Sequence, residues 1–311
     1  MLLILQHYFK DLTLKNGNIS YTTKFLQSNT FKKNEKANEI TVSEFGTPGP
    51  ANKSPFSRFK NVFDFETLVS DNAISNIIKL GSHFFAVGDC PYYLEVDPVS
   101  LDVINRINLN KIFNLVTQNV HVHEEEDGDI EKGKIVTSIP TRWKLNPCYI
   151  HSIVLTKNYI IFIEPPLAVS IMELMANTLK NTPFIEGLHW KNEKTLFHII
   201  SRSSWKEVST KYVSDPFFFI HFSNAFEKGR SYYSRCEYLQ GRFIVNEFIY
   251  HQTQAKSNSS ASFHEGFCPI LKRFIIPLKV ESMKENEELV QLQNAQCSAK
   301  KTGNEVSLSK Y

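Results

Sequence analysis

Short apolar runs separated by turn residues recur along the whole chain, and this pattern predicts a succession of short β-strands. The turn Lys15-Asn16-Gly17 is typical hairpin chemistry, because asparagine and glycine tolerate the left-handed backbone of a tight turn. The predicted strands are Asn18–Phe25, Glu39–Glu44, Asn76–Lys79, Phe84–Val87, Tyr92–Val96, Leu101–Ile107, Lys134–Ser138, Tyr149–Leu155, Tyr159–Ile163, Leu196–Ser201, Phe217–Phe222, Arg242–Tyr250 and Phe274–Val280. Many short strands with few helical patterns between them favour an all-β fold of small repeated sheets, such as the blades of a propeller.

The stretch 147–166 contains the clearest pair of strands. Its first run, Tyr149–Leu155, is rich in β-branched residues, and its second run, Tyr159–Ile163, is continuously apolar. Thr156–Asn158 supplies the turn between them. His151 lies in the first run, and a histidine in so apolar a strand indicates a special role or a buried hydrogen bond.

Three segments depart from the strand pattern. Ser170–Lys180 begins with a capping box and continues with a helical spacing of apolar residues, so it predicts an amphipathic helix. Residues 252–262 are polar and serine-rich, which indicates a loop. Residues 282–311 are mostly polar, and we expect a weakly structured tail there. The sequence thus predicts one all-β body over residues 1–281, followed by this tail.

Composition narrows the classes of function. The chain has 311 residues, of which 42% are hydrophobic, so it can bury a sizeable core. A formal net charge of +3 gives no electrostatic case for nucleic acid as a partner. The five cysteines are widely spaced and odd in number, which favours a reducing, cytoplasmic compartment. The apolar start is too short for a signal peptide or a membrane span, so we expect a soluble protein or one bound to a membrane face.

Three histidines, His121, His151 and His221, lie in apolar or extended surroundings, and His123 shares a strand face with His121. One interpretation is structural: an acidic surface turn around residues 121–128 and two hydrogen-bonded core histidines. The other is a metal site, since neutral imidazole binds iron, copper and zinc. The spacing of these residues matches no local metal motif and leaves both interpretations open.

Three motifs, in the same order along the chain, resemble those of the carotenoid cleavage oxygenases. They are His121-x-His123-x-x-x-Asp127-Gly128, the run Tyr149–Pro166, and His221-x-x-Asn224-Ala225-Phe226-Glu227. The loop Val42–Thr47 resembles an early loop of the family, and the match extends from about Leu2 to Val280. Segments 141–147, 166–170 and 195–198 are most similar to the insect carotenoid isomerooxygenases.

The resemblance implies a seven-bladed β-propeller, incomplete in this chain, with iron(II) held by histidines from different blades. His121, His151 and His221 match the first three ligands, and His123 matches a neighbour that is not a ligand. Asp89 stands where the family has a glutamate that orients a ligand histidine. Residues matching the fourth ligand and the other two glutamates are not found, so we expect a fragment or a divergent copy that binds iron weakly and cleaves little carotenoid.

The implied reaction is cleavage of a carotenoid double bond by dioxygen to retinal-type aldehydes, the chemistry of vitamin A formation, with isomerisation of one product in the insect type. Phe217 and Phe219 share a strand face with His221 by simple alternation and are candidates for the wall of the substrate tunnel, or for plain core packing. The alternatives to an enzyme are an inactive carotenoid- or retinoid-binding fragment and a metal-free interaction protein.

Carotenoids are too apolar to travel through water, so the resemblance also implies peripheral contact with a membrane. We expect the helix Ser170–Lys180 to provide it through Ile171, Leu174, Met175 and Leu179. The alternative is that this apolar stripe packs on the body of the protein.

Overall fold

Antiparallel strands dominate the computed structural model, which describes residues 8–49, 70–73, 75–113, 129–228, 231–239, 270–278, 280–290 and 297–309. In these ranges the α-helices are few, and the longest, Ile171–Lys180, has 10 residues. The chain divides into two compact units, Met1–Ile135 with Met175–Phe184, and Val136–Leu174 with Ile185–Tyr311.

Among its described residues, the first unit contains a hairpin, a four-stranded antiparallel sheet and two α-helices. They are β1 (Tyr8–Lys15), β2 (Asn18–Phe25), α1 (Asn29–Ala37), β3 (Asn76–Leu80), β4 (His83–Val87), β5 (Tyr92–Val96), β6 (Val103–Asn108) and α2 (Leu109–Phe113). Asn16 and Gly17 both have positive φ, so the hairpin turn forms as its sequence predicts. In β5, Tyr93 packs into one apolar cluster and Leu94 and Val96 into another, so the sheet is covered on both faces.

Within its described residues, the second unit contains three sheets and one longer α-helix. Its elements are β7 (Val154–Leu155), β8 (Tyr159–Glu164), β9 (Leu167–Val169), α3 (Ile171–Lys180, which continues into the first unit), β10 (Leu188–Trp190), β11 (Thr195–Ser201), β12 (Lys211–Ser214), β13 (Phe218–Lys228), β14 (Ser231–Leu239), β15 (Ile270–Pro277), β16 (Ser298–Thr302) and β17 (Glu305–Ser309). A six-stranded sheet has the order β16-β17-β12-β11-β8-β7, and only the pairing of β12 with β17 is parallel. β13, β14 and β15 form a three-stranded sheet, and β9 pairs with β10.

The core of the second unit lies between residues of the six-stranded and the three-stranded sheets. Ile161 and Ile163 of β8 face it at every second position, and Phe274 and Ile276 of β15 do the same from the other sheet. All four side chains are fully buried. Burying each stabilises the fold by about 1.5–3 kcal/mol, so the alternation of these strands fixes which face turns inward.

Two predicted strands are wrong. Glu39–Glu44 forms no strand, and the helix α1 precedes it where no element was predicted. The side chain of Asn34 explains the first error, because its Oδ1 accepts hydrogen bonds from Thr41 N at 2.8 Å and Thr41 Oγ1 at 2.7 Å. Lys134–Ser138 also lies outside any strand, with its apolar residues Ile135 and Val136 exposed.

The segment 282–311 differs from the weakly structured tail that its composition suggested. It contains β16 and β17, joined at Gly303, which has a positive φ. Ala299, Val306 and Leu308 alternate with polar residues and are buried in the core. The polar residues of the exposed face hid this short alternation. The predicted loop 252–262 and the predicted strand Arg242–Tyr250 lie outside the described residues.

Candidate metal centre

His151 lies between two backbone pairings of the segment that carries it. On its N-terminal side, Tyr149 N donates to Leu167 O at 2.7 Å, which ties the chain to β9. On its C-terminal side, β7 pairs with β8. The strand predicted over Tyr149–Leu155 is therefore shorter than expected, because only its last two residues join the six-stranded sheet, whereas Cys148, just before it, forms an isolated bridge with Ala168 of β9.

The segment around His151 lies beside the start of β13. Ser152 Oγ donates to Ile220 O at 2.7 Å, and the rings of Tyr149 and Phe218 are 5.8 Å apart. These contacts bring together the second and third of the three motifs found in the sequence.

The imidazole rings of His151 and His221 lie next to each other in a T-shaped arrangement, with centroids 5.1 Å apart and planes at 77°. His151 is half-buried and His221 is exposed. Metal–imidazole bonds are about 2.0–2.1 Å for zinc, so two rings at this separation can each present a nitrogen to one ion. The pair of residues therefore fits a metal site of the kind that neutral histidines form.

A β-bulge, rather than simple alternation, sets the direction of His221. The pairing of β13 with β14 shifts register between Phe219 and Phe222 and again between Phe222 and Asn224. Bulges re-aim side chains, and this one places His221 outside the core that holds Phe219. The prediction that Phe217, Phe219 and His221 share a face is wrong for that reason.

Phe217 and Phe219 are core residues in this structure. Their exposed fractions are 0% and 1%, and their rings pack against Phe274 at 5.1 Å and Phe222 at 4.7 Å respectively. This burial matches the core-packing alternative rather than a tunnel wall.

Other predicted site residues are placed as follows. His121 and His123 lie outside the described residues. Asp89 is exposed in the turn between β4 and β5, in the first unit. Within the part of the chain that the structure describes, no three His, Cys, Asp or Glu side chains form a group that could hold a metal.

The predicted helix at Ser170–Lys180 is confirmed as α3, with Ser170 as its N-terminal cap. Ser170 Oγ accepts a hydrogen bond from Glu173 N at 3.3 Å. Ile171, Leu174 and Met175 are half-buried, whereas Leu179 is 42% exposed. None of the helices in the described ranges is both long and apolar enough to cross a membrane.

Sequence reasoning missed a buried polar cluster in the second unit. Glu164 is 2% exposed, and its Oε2 lies 3.4 Å from Arg142 Nε and 3.3 Å from His198 Nε2. His198 Nδ1 also lies 2.8 Å from Glu207 Oε1. The signal in the sequence is a charged residue at the end of the apolar strand 159–164, where burial of the charge requires partners.

This cluster changes the protonation of its members. Burial alone would lower the pKa of His198, but the carboxylates of Glu164 and Glu207 outweigh burial and raise it above its ordinary value. Burial, together with the charge of Glu164, raises the pKa of the Cys148 thiol. Cys148 is therefore a buried neutral thiol at ordinary pH.

Comparison with known proteins identifies the family. The model of the family described as Retinal pigment epithelial membrane protein matches residues 4–306, so the chain belongs to this family. The carotenoid isomerooxygenase of Galleria mellonella is 31% identical over 88% of this chain and 59% of its own length. The β,β-carotene 15,15′-dioxygenase of Gallus gallus is 28% identical over 88% of this chain and 60% of its own length. The resemblance read from the three motifs is thus confirmed.

Solved structures show the same fold. A chimera of apocarotenoid oxygenase and RPE65 aligns with a TM-score of 0.61 and 14% identity, over 86% of this chain and 58% of the chimera. Cobalt-substituted Synechocystis apocarotenoid oxygenase aligns with a TM-score of 0.58 and 14% identity, also over 86% of this chain and 58% of its own. The chain spans about three fifths of the length of the relatives it matches.

Proposed function

We propose that this chain is part of an enzyme that cleaves a carotenoid double bond with dioxygen, using iron(II), to give retinal-type aldehydes. Family membership supports the substrate class, since relatives are named carotenoid isomerooxygenase and β,β-carotene 15,15′-dioxygenase. The observation that carries the metal part of the proposal is the pair of rings of His151 and His221, 5.1 Å apart.

The proposed ligands are His121, His151 and His221, with Asp89 as a carboxylate that orients one of them. Iron(II), when bound, supplies the redox chemistry that allows dioxygen to react with an alkene. His151 and His221 would each hold the ion through one ring nitrogen and keep the other N–H as a hydrogen-bond donor, which would fix the tautomer of each ring. The T-shaped arrangement of the two rings is compatible with this use of one nitrogen from each.

Iron content tests the proposed ligands. The chain is purified without oxygen, loaded with iron(II) and desalted, and its iron is measured beside the variants His151→Ala and His221→Ala. We expect both variants to lose most of their iron. The control is His83→Ala, whose ring lies in the first unit beside Glu95. Equal iron content in the wild type and both variants would exclude the pair as ligands.

Product analysis tests the reaction. Incubation of the iron-loaded chain with β-carotene in detergent should give a small yield of retinal, detected by chromatography, and no product after a chelator. The relative from Galleria mellonella is named an isomerooxygenase, so we include isomerisation in the proposal. A cis isomer among the retinal products is the expected result for it. Relatives with enzyme names favour this function over the alternative of an inactive binding fragment.

We infer that the sheets of this chain belong to a seven-bladed propeller, of which residues 1–281 form a part. The four-stranded sheet β3–β6 has the size and the sequential antiparallel order of one blade, which supports this reading. The strands β16 and β17 extend the six-stranded sheet of the second unit, so we assign residues 297–309 to the propeller as well.

We propose peripheral membrane contact, at the cytoplasmic side, through one face of α3. Met172 is 61% exposed and Leu179 42% exposed, and they lie seven residues apart, on the same helix face. Met175 lies between them on that face. Leu174 points to the other side, where its Cδ2 lies close to Gly187. The proposed contact stripe is therefore Met172, Met175 and Leu179. Two of these apolar side chains, Met172 and Leu179, are exposed, which suits a membrane surface.

A further inference from the structure

We propose that Glu227 is a positioning residue that locks the His151 segment and the His221 strand in register. The proposal rests on the proposed metal function of those two histidines. It gives a task to the last residue of the third sequence motif, which the ligand assignment leaves unexplained.

The two histidines lie on segments that share no ladder. β7, which follows His151, belongs to the six-stranded sheet, whereas β13, which carries His221, belongs to the three-stranded sheet. Among the described residues, backbone pairing therefore does not fix how far one segment slides along the other. Side-chain hydrogen bonds between the two segments can do so.

Among the described residues, side-chain hydrogen bonds join the two segments near both ends. Next to the histidines, Ser152 Oγ donates to Ile220 O at 2.7 Å. Further along, Glu227 of β13 accepts two hydrogen bonds from Asn158, in the turn between β7 and β8. Asn158 N lies 2.7 Å from Glu227 Oε1, and Asn158 Nδ2 lies 2.6 Å from Oε2.

Two hydrogen-bonded contacts fix the His151 segment on β13 more firmly than one contact can. A single contact at Ser152 allows the segments to pivot about it, whereas a second contact several residues away fixes both angle and register. At about 3.3 Å per residue, a slip of one position would move one imidazole by about 3 Å relative to the other and flip its face. That is larger than the tolerance of a metal site.

The turn itself is rigid enough to transmit this constraint. Arg202 Nη1 donates to Thr156 O at 2.7 Å and to Lys157 O at 3.2 Å, and Arg202 N donates to Asn158 O at 2.9 Å. The carboxylate of Glu227 thus accepts hydrogen bonds from the N–H groups of the turn. The guanidinium of Arg202 donates to the backbone carbonyls of the same turn. Charge-assisted hydrogen bonds of this type are stronger than neutral ones, so the turn is held from both sides.

The charge of Glu227 is maintained by the same contacts. Burial alone would raise the pKa of Glu227, but hydrogen bonds from Thr156 and Asn158 outweigh it and hold the pKa below its ordinary value. The carboxylate is therefore ionised at ordinary pH and can accept both bonds.

A pair of variants tests the proposal through rescue. Glu227→Gln keeps the size of the side chain, but its new amide NH₂ group meets the side-chain NH₂ group of Asn158. Two donors then face each other, and the hydrogen bond between these side chains is lost. In the double variant with Asn158→Asp, the amide donates to the new carboxylate, and its oxygen still accepts from the backbone N of position 158. The matched control is Glu305→Gln, another partly exposed carboxylate of the same unit, which pairs with Lys194 at 2.9 Å.

The first measurement needs no metal. Hydrogen–deuterium exchange of peptides covering residues 149–158 should speed up in Glu227→Gln, return toward the wild type in the double variant, and stay unchanged in Glu305→Gln. Unchanged exchange in Glu227→Gln, or no recovery in the double variant, would overturn the proposal whether or not the chain binds metal.

The second measurement follows cobalt(II), added alone as the probe. We expect Glu227→Gln to bind cobalt about 10-fold more weakly, with an altered visible spectrum, and the double variant to recover both. Wild-type affinity and spectrum in Glu227→Gln would overturn the positioning role. Failure of the wild type to bind cobalt would instead count against the proposed metal function, and the exchange data would still decide the contact itself.

Discussion

At the scale of single residues, the most unusual feature is the buried charge of Glu164. Removing a carboxylate from water is costly unless it is paired, and here Arg142 and His198 both approach the same oxygen, Oε2. Glu207 holds the opposite nitrogen of the His198 ring. His198 therefore lies between two carboxylates, and its proton determines how well the cluster is neutralised.

This arrangement predicts a pH-dependent contribution to stability. The pKa of His198 is raised in the folded chain, so its stabilising charge is fully present below its unfolded pKa, about 6.5, and is lost as the pH rises through the higher folded value. We expect His198→Gln to lower the free energy of unfolding by about 1.5–3 kcal/mol at pH 6 or below, and by much less in alkaline buffer. Urea unfolding at several pH values measures this difference.

The control for this prediction is His189→Gln. His189 pairs with Glu173, but both side chains are well exposed, and such pairs contribute little. A difference between the wild type and His198→Gln that stays constant with pH would show that the ring contributes by packing alone.

At the scale of elements, the sequence predicted most strands and the helix but not their partners. β5 has the predicted bounds, Tyr92–Val96, because its apolar run is bounded by clear turn residues. Glu39–Glu44 also has a strand-like pattern, with alternating polar and apolar residues. However, Asn34 Oδ1 accepts the hydrogen bond of the Thr41 backbone N–H, and no ladder forms. Local pattern cannot distinguish the two cases, since the competing hydrogen bond comes from a neighbouring helix.

The candidate site shows the same limit. That His151 and His221 meet follows from the ordered motifs, not from their spacing along the chain. The direction of His221 depends on the register shifts in β13, which the alternation of Phe217 and Phe219 did not reveal. The cluster around Glu164 was missed because Arg142 and His198 come from other segments.

The packing of α3 gives a prediction about Gly187. A Cβ at this position would lie 2.6 Å from Leu174 Cδ2, so Gly187→Ala must displace the Leu174 side chain. We expect a loss of about 1–3 kcal/mol in stability, the usual cost of overpacking, measured by thermal unfolding. The control is Met172→Ala, on the exposed face of the same helix, which should change stability little. Unchanged stability in Gly187→Ala would mean that this face of the helix is loosely packed.

The exposed face of α3 gives a separate prediction about membranes. The double variant Met172→Glu with Leu179→Glu should no longer float with vesicles that contain anionic lipid, because both side chains leave the proposed contact stripe. Its circular dichroism should match that of the wild type, since both residues are exposed. Flotation equal to the wild type, or no flotation of the wild type itself, would contradict the membrane role of the helix.

At the scale of the whole molecule, the chain shares its fold with proteins whose sequences differ from it at most positions. Apocarotenoid oxygenase structures align at 14% identity with TM-scores near 0.6. Conserving alternation and turn positions is enough to keep such sheets, because any apolar residue of suitable size can fill an inward position. Function depends on far fewer residues, which is why the motifs containing His151 and His221 carry the functional argument.

Binding of a metal by those residues should be visible in the stability of the chain. A ligand that binds only the folded state adds free energy by mass action, about 2.7 kcal/mol at 100 times its dissociation constant. For a domain of 150–250 residues this corresponds to a rise of roughly 5–10 °C in the unfolding midpoint. We expect cobalt(II) to produce such a rise, and a chelator to reverse it. The variants His151→Ala and His221→Ala should lose the metal-dependent rise, whereas His189→Ala should retain it. A rise of equal size in all three variants would show that the metal binds elsewhere on the chain.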